Sequence, residues 1–180
     1  MGVHFTVTVD HDIHDTSLDA VRDRFASLQP MFDELSDKTR PEPGTWRDIS
    51  EPGSPQPYLF YTPGGFSLQI GSTALRMHHF TRFSTFIDTA ARRDLLRQFS
   101  QQLAQLFGRR RVLYAPCEGI GDEIADWLTD GFSVADMESR LRERSSPPTA
   151  IEELASRSLP ELRYYIDEFK DCYVERKPTG

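Results

Sequence analysis

Polar and apolar residues alternate at the start of the chain. Between His4 and Asp10 the apolar Phe5, Val7 and Val9 take every second position, which predicts a half-buried strand. The run Asp10-His-Asp-Ile-His-Asp15 that follows is polar and reads as a loop. From Thr16 or Ser17 the period lengthens to that of a helix, with Leu18, Val21, Phe25 and Leu28 on one side. Pro30 kinks or restarts that helix, because proline suits a first turn and breaks an interior. Met31, Phe32 and Leu35 then continue the apolar stripe. Prolines at 41, 43, 52, 55 and 57 mark residues 38–57 as a long surface loop whose one aromatic is Trp46.

Two short apolar runs, 58–62 and 66–71, flank Pro63-Gly-Gly65 and predict a hairpin. Residues 75–80 read as a third strand leading into 82–87. The clearest helix is 89–107, where Leu95, Leu96, Phe99, Leu103, Leu106 and Phe107 form one stripe and Gly108 supplies the stop. A strand over 111–115 and a short helix over 121–129 follow, the latter ended by Gly131. Ser133, with Asp136 three residues on, is a capping pattern for a helix over 134–144. Residues 146–149 form a connector and 151–155 a helical turn. Tyr164, Tyr165, Ile166 and Phe169 within 162–174 fit either a strand or a terminal helix. The sum is a single α+β domain over 1–180. A small, mainly antiparallel sheet packs against the 89–107 helix and several shorter ones, and 180 residues suffice for a sizeable core.

Composition adds one fact to this picture. The net charge of −7 is partitioned, with residues 1–57 at −6, 58–115 at +6 and 116–180 at −7. Acidic blocks sharing a face would repel nucleic acid and attract a basic protein surface; alternatively, the middle arginines pair with the acids internally. Cys117 and Cys172 match no metal spacing. The first residues lack the pattern of a secretory leader, and no apolar run is long enough to span a bilayer. The expectation is a cytoplasmic protein with reduced thiols and no membrane partner.

Five groups could carry chemistry. His11 and His14 could clasp a divalent ion, but the chain offers no third ligand at a defined spacing, so no metal is expected. His78-His79 project to opposite faces of a strand, so only one could pair with Cys117 as base and nucleophile. The carboxylates beside Cys117 argue against an activated thiol. Gly64-Gly65 and Gly119-Ile-Gly121 fit turns, not a phosphate or dinucleotide loop, and no cofactor is expected. Arg109-Arg-Arg111 suits a helix C-terminus and needs no nucleic acid. The acidic set Glu118, Asp122, Glu123, Asp126 and Asp130 puts like charges four residues apart on a helix, a cost that a surface built for a basic partner tolerates.

The succession of N-terminal strand, hairpin, long helix and Arg111-Val-Leu-Tyr-Ala-Pro-Cys-Glu-Gly, then Asp122, Asp126 and Trp127, resembles bacterial immunity proteins of polymorphic toxin systems. The similar family is the one found beside toxins with a restriction-endonuclease-like domain, associated with type VI secretion. The resemblance covers about residues 58–145. It implies a non-enzymatic antidote that binds a cognate toxin, a nuclease effector, and covers its active site. The acidic residues 118–130 would then form the contact, with Trp46 or Trp127 as an apolar anchor. The alternative from another class is a small hydrolase or transferase using Cys117 or the histidines, and a third is a scaffold that dimerises through its aromatic surface.

Overall fold

A computed structural model describes residues 4–35, 45–51, 53, 57–82, 89–117, 119–144, 148 and 164–169, with 79–82 as strand backbone alone. Its strands are β1 (His4–Asp10), β2 (Arg47–Asp48), β3 (Tyr58–Tyr61), β4 (Ser67–Ile70), β5 (Ala74–Arg82), β6 (Arg111–Pro116) and β7 (Tyr165–Glu168). They form one antiparallel sheet in the order β2-β3-β4-β5-β1-β6-β7. The helices are α1 (Leu18–Arg24), α2 (Gln29–Leu35), α3 (Ala90–Leu106), α4 (Ile120–Thr129) and α5 (Val134–Arg144). The architecture is the expected α+β domain.

Register divides the sheet into two faces. Phe5, Val7, Leu68, Ile70, Leu75, Met77, Val112 and Tyr114 meet α1, α2 and α3 in a core dense in phenylalanine. Phe32 sits at its centre, with ring contacts to Phe66 and Phe99 at 5.6 and 5.7 Å. On the other face Ala74, Leu113 and Ala115 pack under Ile124, Trp127 and Leu128 of α4 and Met137 and Leu141 of α5. Helices on both faces bury β1 on both sides, so Thr6 and Thr8 are inside where the alternation alone predicted a half-exposed strand. The Thr6 hydroxyl meets its burial cost by donating to the Ala115 carbonyl at 3.0 Å.

Local chemistry explains most boundaries. Ser17 caps α1 by accepting from the Ala20 N–H, and Pro30 lies in the first turn of α2, so the chain restarts there. The 58–71 hairpin closes through Pro63–Gly65, with Gly64 at φ 79°. Ser133 and Asp136 exchange hydrogen bonds at the head of α5 as the capping pattern predicts. Asp10, at the end of β1, adds a bond from the Val134 N–H at 2.7 Å and ties the helix to the sheet.

Three expectations are refined. The surface loop 38–57 contains the edge strand β2, which pairs with β3; residues 38–44, 52 and 54–56 lie outside the described residues. The third strand runs from Ala74 to Arg82, and its expected continuation over 83–87 lies outside them too. The ambiguous tail is a strand at Tyr165–Glu168, docked by Arg97 of α3, whose guanidinium grips Asp167 through two bonds of 2.7 and 3.1 Å. The helical turn at 151–155 and all of the 146–149 connector except Pro148 also fall outside.

Candidate functional site

β6 runs through Pro116 into a tight turn, and α4 begins at Ile120. Gly119 precedes the helix with φ 68° and ψ −106°, a conformation that only glycine adopts without strain. Its N–H donates to the Asp122 carboxylate at 3.2 Å, so Asp122 caps the helix it belongs to.

The outer face of α4 carries the expected acids. Asp122, Asp126 and Asp130 are exposed and follow one another at four-residue spacing, and none forms an ion pair among the described residues. Other acids do pair: Asp12 with Arg24, Glu138 with Arg111 and Arg142, Asp167 with Arg97. Glu123 belongs to that second group, since Arg144 of α5 reaches both its oxygens at 2.8 and 3.3 Å. Glu118 lies outside the described residues. Charge partition is thus compensated internally in part, with middle-block Arg97 and Arg111 answering C-terminal acids, and left open on α4.

The two tryptophans separate. Trp127 is 7% exposed and belongs to the core beneath α4, stacked on Phe132, which removes it as an exposed anchor. Trp46 is half-buried on the opposite side of the sheet, against Phe25 and Phe32 at 5.8 and 6.0 Å. The structure therefore does not bring Trp46 together with the acids of α4.

Behind the turn lies a polar cluster that only register makes visible. Arg76 and His78 of β5 share the α4 side of the sheet, next to Thr8 and Thr6 of β1. The His4 ring meets the His78 ring edge-on at 5.4 Å. Cys117, half-buried, donates its N–H to the His4 carbonyl at 2.8 Å, and its Sγ accepts the His4 N–H at 3.0 Å. Arg76 is 4% exposed; its Nη1 donates to the Gln69 side chain at 3.2 Å, and its buried Nε has no hydrogen-bond partner among the described residues. Burial pulls the Arg76 pKa down, opposed by the negative charges that Cys117 and Asp122 offer. Burial also holds His78 neutral, its pKa pushed down to about 4, with the charges of Arg76 and His4 acting in the same direction. The alternating Leu75-Arg76-Met77-His78 pattern was a sequence signal for this polar face; its meeting with Cys117 was not readable.

The remaining candidates resolve simply. His11 is buried, its Nδ1 accepts the Ile13 N–H and its Nε2 lies 3.0 Å from the Gly71 carbonyl, so both ring nitrogens serve the loop. His14 is exposed, and among the described residues no group of three His, Cys, Asp or Glu side chains is placed to hold a metal. Arg111 of the basic cluster turns inward to Glu138 at 2.6 Å. No described helix is long and apolar enough to cross a membrane. No protein-family model, no curated protein and no solved structure matches the chain.

Proposed function

We propose that the protein is an immunity protein, a non-enzymatic antidote that binds a cognate antibacterial toxin through the outer face of α4. The observation that carries this reading is the row Asp122, Asp126, Asp130, exposed and in no ion pair among the described residues. Like charges at four-residue spacing cost a helix a few tenths of a kcal/mol, and an acid at the C-terminal end opposes the helix dipole. A basic partner converts that cost into faster and more selective association. A nuclease that grips phosphates presents such a basic surface. Trp46 lies across the sheet, so the contact we propose centres on α4 and does not use both.

The experiment is a pull-down of the tagged chain with the product of the adjacent gene, followed by a nuclease assay of the complex. A one-to-one complex that silences the neighbour supports the reading. Asp126→Lys with Asp130→Lys should then weaken it at least about tenfold, through a slower association rate. A neighbour that neither binds nor harms cells overturns it.

A further inference from the structure

Three successive residues where β1 ends fasten three different parts of the molecule. Asp10 accepts the Val134 N–H at the head of α5 at 2.7 Å. Asp12 binds Arg24 of α1 at 2.8 Å, and Arg24 also donates to the Leu106 carbonyl at the end of α3. Between them His11, 6% exposed, reaches the turn that joins β4 to β5. Its backbone N–H donates to the Thr73 carbonyl at 3.0 Å. Its ring meets a carbonyl at one nitrogen and an N–H at the other. Nε2 lies 3.0 Å from the Gly71 oxygen, and Nδ1 accepts from the Ile13 N–H at 3.0 Å. A carbonyl can only accept, so Nε2 carries the proton and Nδ1 is bare. The turn that His11 holds is itself pressed against the end of α4. A β-carbon on Gly71 would lie 2.5 Å from the Leu128 carbonyl oxygen, and one on Gly131 would lie 2.6 Å from the Ser72 hydroxyl. The Thr73 hydroxyl completes the contact by donating to the Gly131 carbonyl at 2.9 Å.

We propose that His11 is an acid-operated latch. Neutral, it clamps the 10–13 loop to the β4–β5 turn and, through that turn, seats the C-terminal end of α4; protonation at Nδ1 opens it. The added proton would face the Ile13 N–H, so two donors would meet where one hydrogen bond stood. A full charge would also enter a buried site, beside the Phe107 ring at 6.2 Å. Asp10 and Asp12 favour that charge, but Asp10 is engaged by Val134 and Asp12 by Arg24. Arg24 lies over the same Phe107 ring and Arg109 acts on Asp10, so a cation stands behind each carboxylate. Asp136 faces Asp10 from α5, and Gly71-Ser72-Thr73 brings no charge from the turn. Burial outweighs the attraction and holds the His11 pKa below its ordinary 6.5. An open loop takes the proton at the ordinary value and a closed one resists it, so opening is favoured as pH falls below 6.5.

The latch works without a partner, so its test is separate from that of the antidote reading. Long-range proton–nitrogen NMR spectra of the full chain at about pH 7.5 show which His11 ring nitrogen is protonated, and the ring is then titrated to about pH 5. Amide hydrogen exchange is recorded at both ends of that range, corrected for its intrinsic pH dependence, with Val7 in the middle of β1 as the reference. The expected result is the Nε2–H form at the higher pH and a midpoint below 6.5. The amides of Ile13 and of position 11 should exchange faster than that of Val7, and their protection should fall about threefold or more on acidification. His11→Gln, which cannot titrate, should remove that fall at position 11. A ring protonated at Nδ1, a midpoint at or above 6.5, protection that does not fall, or exchange only at the Val7 rate overturns the proposal. The unsubstituted protein alone decides it if His11→Gln does not fold.

Discussion

A β-carbon on Gly121 would be driven into the Pro116 carbonyl oxygen, and backbone cannot yield as a flexible side chain can. Helix propensity alone favours alanine over glycine by about 1 kcal/mol. The two effects have opposite signs, so one substitution decides which rules the turn. Gly121→Ala should destabilise the protein by about 2 kcal/mol or more, read as a lower urea midpoint at unchanged m-value. A stabilised variant would mean that β6 and α4 do not approach as described. Titration gives a second test at this scale. His11 and His78 both have folded pKa values below the ordinary 6.5, chiefly through burial. Their unfolded forms therefore bind protons first. The stability they contribute is complete above pH 6.5 and is lost as pH falls through their folded values, which for His78 is about 4. Asp10, raised by burial, works in the opposite sense nearer its ordinary 3.8. Lowering the pH from 7.5 to 5 should cost on the order of 1 kcal/mol, partial exposure of His78 included. The His78→Asn variant should show a shallower fall, and an identical slope would place the effect elsewhere.

Among the elements, α5 meets the sheet through one buried charge. Glu138 is 5% exposed and bonds Arg111 of β6 and Arg142 of its own helix, both at 2.6 Å. The two pairs differ in what they join. Arg142 is over half exposed and sits one turn away, so Arg142→Ala should cost no more than about 0.5 kcal/mol. Arg111→Ala leaves the buried carboxylate without its cross-element partner, and about 2 kcal/mol is expected. Denaturant unfolding of the two variants checks the contrast, and equal losses would contradict it. The same elements show what sequence could tell. α3 was legible because its stripe of Leu96, Phe99 and Leu103 is long and strictly periodic, and the 58–71 hairpin because Pro63-Gly-Gly65 has one obvious use. β2 was not, since two polar residues between prolines carry no period and pairing with β3 alone makes them a strand. β7 stayed ambiguous because Tyr165 and Ile166 suit either period until Asp167 meets Arg97. The acids of α4 could be read on one helix face, whereas the placing of Arg76 and His78 beside Thr8 and Thr6 needs the register of β5 on β1.

Across the whole molecule, charge is spent in two ways. Arginines of the middle block close internal pairs with Asp167 and Glu138, which locks β7 and α5 onto the sheet. The carboxylates of α4 are not drawn into that network, although Arg144 passes close enough to take Glu123. A solvated face and a docking face differ in how stability and binding move together. Asp122 is set aside because its substitution would also remove the cap on Gly119. Asp126→Lys with Asp130→Lys makes the 122–126 pair attractive, leaves 126–130 a like-charge pair as before, and puts a cation at the helix's C-terminal end. The double variant should therefore be as stable as the parent or more so, by up to about 1 kcal/mol. If α4 is the docking face, the same variant should lose toxin affinity at least about tenfold, and the loss should shrink as salt is raised. Thermal unfolding and association kinetics on one protein sample read both quantities. A gain in stability with binding unchanged would assign the acids to solvation alone and move the partner surface elsewhere on the sheet.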